Sequence, residues 1–226
     1  MQRSALLLKL TNERSAQKPT RRMRASKCIT LRQASNFIEA IKFAKLIDLP
    51  LVAHLTIHWA YTEIGDDPDG KLFAKVREGL SKWAYRHGFA LTCAWVRERM
   101  SRGQAEVEHC HLLFHLPVEY RTRARLLQVE AATYRLINKH GRRNGDKQSQ
   151  GYWADEVIKL VIHENPDGKY LIKGGGPKVW KRFGIRREHR GSQGLIFGKR
   201  CGTSENIGPA ARCRALLDND AQKEVA

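Results

Sequence analysis

The chain has 226 residues, of which 42% are hydrophobic and 28% charged, a globular balance that argues against a disordered tail and against a fold needing disulfide staples. Lysine and arginine outnumber the acids 41 to 23, and the formal charge of +18 favours a polyanionic partner, most commonly nucleic acid. No apolar run approaches membrane-spanning length, and the early ALLLKL is cut short by Lys9, so neither a membrane span nor a secretory leader is expected.

Residues 1–32 carry nine basic residues and one acid, Glu13, without a hydrophobic period. They read as a mobile basic arm, although an organelle transit peptide has the same composition. The stretch from Asn36 to Ile47 then spaces Phe37, Ile41, Ala44 and Ile47 along one helical face, an accessory helix. From Leu51 to Trp59 the pattern changes to period two, which predicts a strand. Leu72, Phe73, Val76, Leu80 and Trp83 return to helical spacing, and Gly88 is suited to end that helix. A second strand is expected over Ala90 to Glu98 and a third over Val107 to Leu116, joined by a turn at Gly103. Leu126, Leu127, Val129, Tyr134 and Ile137 mark another helix, followed by the polar loop GRRNGDKQSQG and a fourth strand from Asp155 to His163. Six more basic residues lie between Lys178 and Arg190.

The order strand, helix, strand, strand, helix, strand predicts an α+β domain of the ferredoxin-like split βαβ kind, with both helices on one face of an antiparallel sheet and the other face open. The expected division is a basic arm and accessory helix over 1–48, the main domain over 49–200 and a C-terminal tail over 201–226. Ser204, Glu205 and a basic segment in that tail fit either a DNA-contacting appendage or a structural cap.

Alternate residues of a strand share a face. Cys110, Leu112, Phe114 and Leu116 therefore form an apolar side for the helices, leaving His109, His111 and His115 on the other. The first strand likewise sets His54, Thr56 and His58 apart from its apolar residues, and in this topology the two strands are neighbours. A turn centred between Gly103 and Gln104 brings Glu98 opposite His109, with Cβ atoms about 4.5 to 5.5 Å apart. Two imidazoles and a carboxylate suit Mg²⁺, Mn²⁺ or Zn²⁺, the carboxylate favouring a harder ion. His54, His58 and His115 compete with Glu98 for the third position. His115 is too remote from His109, at roughly 20 Å along an extended strand. The plainer alternative is a set of half-buried polar residues on a sheet face.

In NPDGKYLIKGGG, Asn165 can cap a short helix that starts at Pro166 and stops at Gly174, with Tyr170 and Lys173 on one face. A hairpin with PDG as its turn fits almost as well and separates the two residues. A tyrosine phenol, with an ordinary pKa near 10, needs a metal or a cation to act as a nucleophile. Lys173 is placed to stabilise a phenolate or a phosphate. Tyr85 and Tyr134 fall within helices as packing residues, and Tyr61, Tyr120 and Tyr152 lack such a setting.

These residues together resemble the HUH endonucleases, a superfamily of rolling-circle replication initiators, relaxases and related transposases. His109-Cys110-His111 resembles the family's two histidines flanking a hydrophobic residue, Glu98 its acidic third ligand, and Tyr170-Leu171-Ile172-Lys173 its Tyr-x-x-Lys motif. HLTIHW occupies the place of its first motif strand, so the resemblance covers about residues 50 to 175. It implies Mg²⁺- or Mn²⁺-dependent cleavage of single-stranded or hairpin DNA, in which Tyr170 forms a 5′-phosphotyrosine and leaves a free 3′-OH. The linked strand is then rejoined or transferred. Cys110 is an unusual middle residue, one tyrosine alone is placed for chemistry, and Gly174-Gly175-Gly176 shortens the helix that normally carries it. No phosphate-loop motif of the GxxxxGK type is present, so replication would need a host helicase.

Five cysteines without a CxxC pair fit a reducing compartment, and a cytoplasmic location is expected. Two other readings of the chain remain open. One is a non-catalytic basic nucleic-acid-binding protein, for which the charge alone suffices, and the other is a zinc-dependent hydrolase of a different substrate.

Overall fold

The computed structural model describes residues 24–62, 65–67, 69–102, 105–141, 157–187 and 194–225. In chain order these form β1 (Ala25–Ser26), α1 (Leu31–Leu46), β2 (Ala53–His58), α2 (Lys71–Arg86), β3 (Cys93–Arg102), β4 (Ala105–Phe114), α3 (Arg123–Gly141), β5 (Ile158–Ile162), α4 (Pro177–Phe183), β6 (Ile196–Phe197), β7 (Cys201–Thr203) and α5 (Pro209–Val225). The basic arm up to residue 23 and the loop after α3, with the expected strand start at Asp155, lie outside the described residues.

Local chemistry sets the helix starts. At α1 a reciprocal pair forms: Thr30 Oγ1 accepts the Gln33 amide at 3.3 Å, and Gln33 Oε1 accepts the Thr30 amide at 2.9 Å. Asp67 begins α2 by accepting the amides of Leu72 and Phe73 at 3.1 and 2.8 Å, which satisfies donors with no partner inside the helix. At the other end of α2, Gly88 adopts φ 83, as expected of the stop residue.

The main sheet is antiparallel with five strands in the order β5-β2-β4-β3-β7. Its first four strands are compatible with two interleaved βαβ units, the arrangement that the element order predicts. Ala53, Leu55, Ile57, Trp95, Leu112 and Phe114 turn to one face and pack with α2 and α3, through Phe73, Val76, Leu80, Val129 and Ile137. That core contains the apolar residues expected of it.

The second face is not left open as expected. Ala94, Val96 and Leu113 are apolar on that side as well, and burying them stabilises a second layer. Phe37, Ile38 and Ile41 of α1, Leu171 and Ile172 of a 3₁₀ turn, Val179 of α4 and Ile207 cover them. The layer draws in residues from both ends of the described chain, and β7 extends the sheet beyond β3. A groove remains on that face, lined by His54 and His58 of β2, His109 and His111 of β4, and Lys159 and His163 on the β5 side. No described helix is long and apolar enough to cross a membrane.

Candidate functional site

The register of the β3-β4 hairpin runs from Arg102↔Ala105 through Glu98↔His109, so Glu98 stands opposite His109 as the sequence predicts. Gly103 and Gln104, at the tip, lie outside the described residues. On the neighbouring strand Thr56 stands opposite His111 and His58 opposite His109. All point to the face away from α2 and α3.

Glu98, His109 and His111 present ligand atoms that all lie within 4.8 Å of one another. Glu98 Oε2 accepts from His109 Nε2 at 3.2 Å and lies 3.6 Å from His111 Nε2, beyond hydrogen-bond reach. All three side chains are buried, and Glu98 is wholly so. Among the described residues, Glu98 Oε1 and His111 Nε2 have no hydrogen-bond partner despite their burial. Such orphaned atoms are costly unless something else satisfies them. A divalent ion suits this donor set, since one oxygen and two ring nitrogens converge, and an ion bound there would displace the proton that now joins His109 Nε2 to Glu98.

Burial by itself would raise the Glu98 carboxyl. The imidazoles of His109 and His111 and the Lys173 ammonium outweigh it and hold the group well below the usual carboxylate range. Burial lowers His111 against the opposing pull of Glu98, which favours the neutral imidazole that a metal requires.

His54 and Thr56 support His111 from behind. His54 Nε2 and Thr56 Oγ1 both lie 3.1 Å from His111 Nδ1. A proton on Nδ1 satisfies either contact and leaves Nε2 with its lone pair toward Glu98. His54 is itself pushed down to about 3 by burial, His111 and His163, so its Nε2 can accept. His54, a candidate third ligand by sequence, instead contacts His111 Nδ1. Thr56, on the same face by the alternation of β2, shares that contact. His58 stacks on His109 with ring centroids 5.7 Å apart. His115 bonds the Pro50 carbonyl at 3.2 Å and stays outside the cluster.

Cys110, between the two histidines, turns into the helix-side core. It accepts the Trp59 indole N–H at 3.2 Å, and burial pushes its thiol well above the usual range. The middle position is thus a packing position. Beside it Arg97 and Glu108 form a buried pair with bonds of 2.6 and 2.8 Å, and Arg97 also donates to the carbonyls of Asp67 and Phe197. That guanidinium ties two loops to the sheet.

Of the two conformations expected after Asn165, the hairpin does not form and the helix is reduced to one short turn. Lys169–Ile172 is a single 3₁₀ turn entered through Gly168 at φ 69. A 3₁₀ turn eclipses residues three apart. Lys173 Nζ accordingly sits 3.6 Å from the centroid of the Tyr170 ring, and it reaches 3.2 Å from Glu98 Oε2. Tyr170 is 55% exposed and lines the same groove of about 790 Å³ as His58, His109 and His111. Lys159 and His163 of the β5 side line it too, neither of them singled out in sequence. One ammonium therefore links the candidate nucleophile to the candidate metal ligands. No family model, curated protein or solved structure matches the chain.

Proposed function

We propose that the protein nicks single-stranded or hairpin DNA and transfers the cut strand through a 5′-phosphotyrosine, as an HUH-type endonuclease acting in rolling-circle replication initiation or mobilisation. The observation that carries this reading is the common groove: Tyr170, His109 and His111 line it, and Lys173 spans from the phenol ring to Glu98.

Glu98, His109 and His111 would hold Mg²⁺ or Mn²⁺, which supplies charge neutralisation at the scissile phosphate. His54 and Thr56 keep His111 in the tautomer that ligates. Tyr170, exposed at the groove mouth, forms the bond from its phenol oxygen to phosphorus. The P–O3′ bond breaks, the phenol proton leaves, and the 3′ oxygen takes one up, leaving the downstream strand attached to the enzyme through its 5′-phosphate. Lys173 offsets the negative charge that develops on the phenol oxygen. The free 3′-OH reverses the reaction when it, or another strand end, attacks the phosphotyrosine. A separate host helicase would unwind the duplex.

The test uses random-sequence single-stranded DNA labelled at its 3′ end, incubated with the full chain and Mn²⁺. A labelled covalent adduct is expected from the wild type and from neither Tyr170→Phe nor His109→Ala. An adduct that persists in Tyr170→Phe would overturn the nucleophile. Salt-sensitive binding without any adduct would favour a non-catalytic nucleic-acid-binding protein, for which the charge of +18 is sufficient. Stoichiometric zinc in the purified protein would favour the hydrolase reading.

A further inference from the structure

We infer that Lys173 is a resident cation of the metal site, one that gives up Glu98 when a divalent ion binds and then serves Tyr170. The inference rests on the metal-site reading above and goes beyond it.

Glu98 Oε2 is the point on which the site converges. Lys173 Nζ reaches it at 3.2 Å, the same distance as His109 Nε2, while His111 Nε2 stands at 3.6 Å. The carboxylate is fully buried and the lysine side chain is 12% exposed, so solvent screens the pair only weakly. A divalent ion bound to that oxygen and to the two rings would have the ammonium as a close like-charged neighbour. The two cations repel most strongly where water is excluded, so they are alternatives at Oε2.

The lysine has a second partner within reach. Its Nζ already lies 3.6 Å from the Tyr170 ring centroid, so leaving Glu98 keeps it beside the phenol. A move from the ring face toward the phenol oxygen would bring a positive charge to the atom that becomes negative in attack. The backbone beneath has little freedom to move. The Lys173 carbonyl accepts the Trp180 indole N–H at 2.9 Å, and Ile29 donates to the Gly174 carbonyl at 3.1 Å. Rotation of the lysine side chain is thus the cheaper motion. Metal occupancy and activation of the nucleophile become one event.

The consequence has a sign that a supporting lysine would not share. Titration of the full chain with Mn²⁺ should show Lys173→Met binding about tenfold more tightly than the wild type, because a competing charge is gone. Lys173→Arg, which keeps the charge, should stay near the wild type. Adduct formation should fall in Lys173→Met despite its tighter metal binding. Equal or weaker Mn²⁺ binding by Lys173→Met overturns the inference. Mn²⁺ binding unaffected by His109→Ala overturns the metal site itself, a different result. In the wild type, the side-chain ammonium resonance of Lys173 should shift on titration with Mg²⁺, a check that needs no variant. A resonance that stays in place overturns the exchange.

Discussion

Glu98 shows how one side chain can govern a site. It is wholly buried, faces two imidazoles and an ammonium, and keeps its charge because their pull exceeds the cost of desolvation. A carboxyl held below its unfolded value, here 4.5, stabilises the fold above that pH and loses the contribution as pH falls through the folded value. Urea midpoints of the metal-free protein should therefore separate most between wild type and Glu98→Gln near neutrality, and converge in acid. Thr56 and His54 each reach the ligand set through His111 Nδ1. Thr56→Val and His54→Ala should each weaken Mn²⁺ binding by roughly tenfold or more, read by titration, while the thermal midpoint stays near wild type. Equal affinity in both would remove their role in setting the His111 tautomer.

At the scale of elements, the turn that carries Tyr170 is held by α1. Gly168 has φ 69, and a Cβ there would meet Ile41 Cδ1 at 2.2 Å and Phe37 Cε1 at 3.2 Å. Gly168→Ala strains the left-handed backbone and forces the Ile41 side chain aside, at a cost of about 1–3 kcal/mol, which loosens the seat of the Tyr170 turn. Thermal unfolding and adduct rate should both fall. Gly176 provides the control. It is extended, with φ −78, and nothing lies within 4 Å of an added Cβ. Gly176→Ala should change stability by no more than about 0.5 kcal/mol. The strands and their faces were legible in sequence because period two survives in β2 and β4, down to the pairing of Glu98 with His109. The 165–173 segment was not legible, since its helix and hairpin signals were balanced and packing against α1 favoured a short 3₁₀ turn.

For the whole molecule, the excess of base over acid acts at a distance and without sequence preference. Each phosphate neutralised on a single strand adds about 0.7 to the slope of log affinity against log salt. With about five phosphates neutralised, filter binding of single-stranded DNA should weaken about a hundredfold between roughly 50 and 200 mM salt. If the net charge is the source of affinity, the His109→Ala, His111→Ala double variant should follow the same line. Loss of binding in that variant at low salt would instead put the DNA grip in the groove.

The amino-acid order alone determined the alternation of faces, the hairpin register and hence the trio of Glu98, His109 and His111, because these depend on neighbours in the chain and on one short turn. Tertiary packing decided the rest. It laid α1 and the C-terminal segment over a face that the element order left bare, since Ala94, Val96 and Leu113 needed cover. It also folded the Tyr170 turn so that Lys173 reaches Glu98, a contact between residues 75 positions apart that no local period encodes.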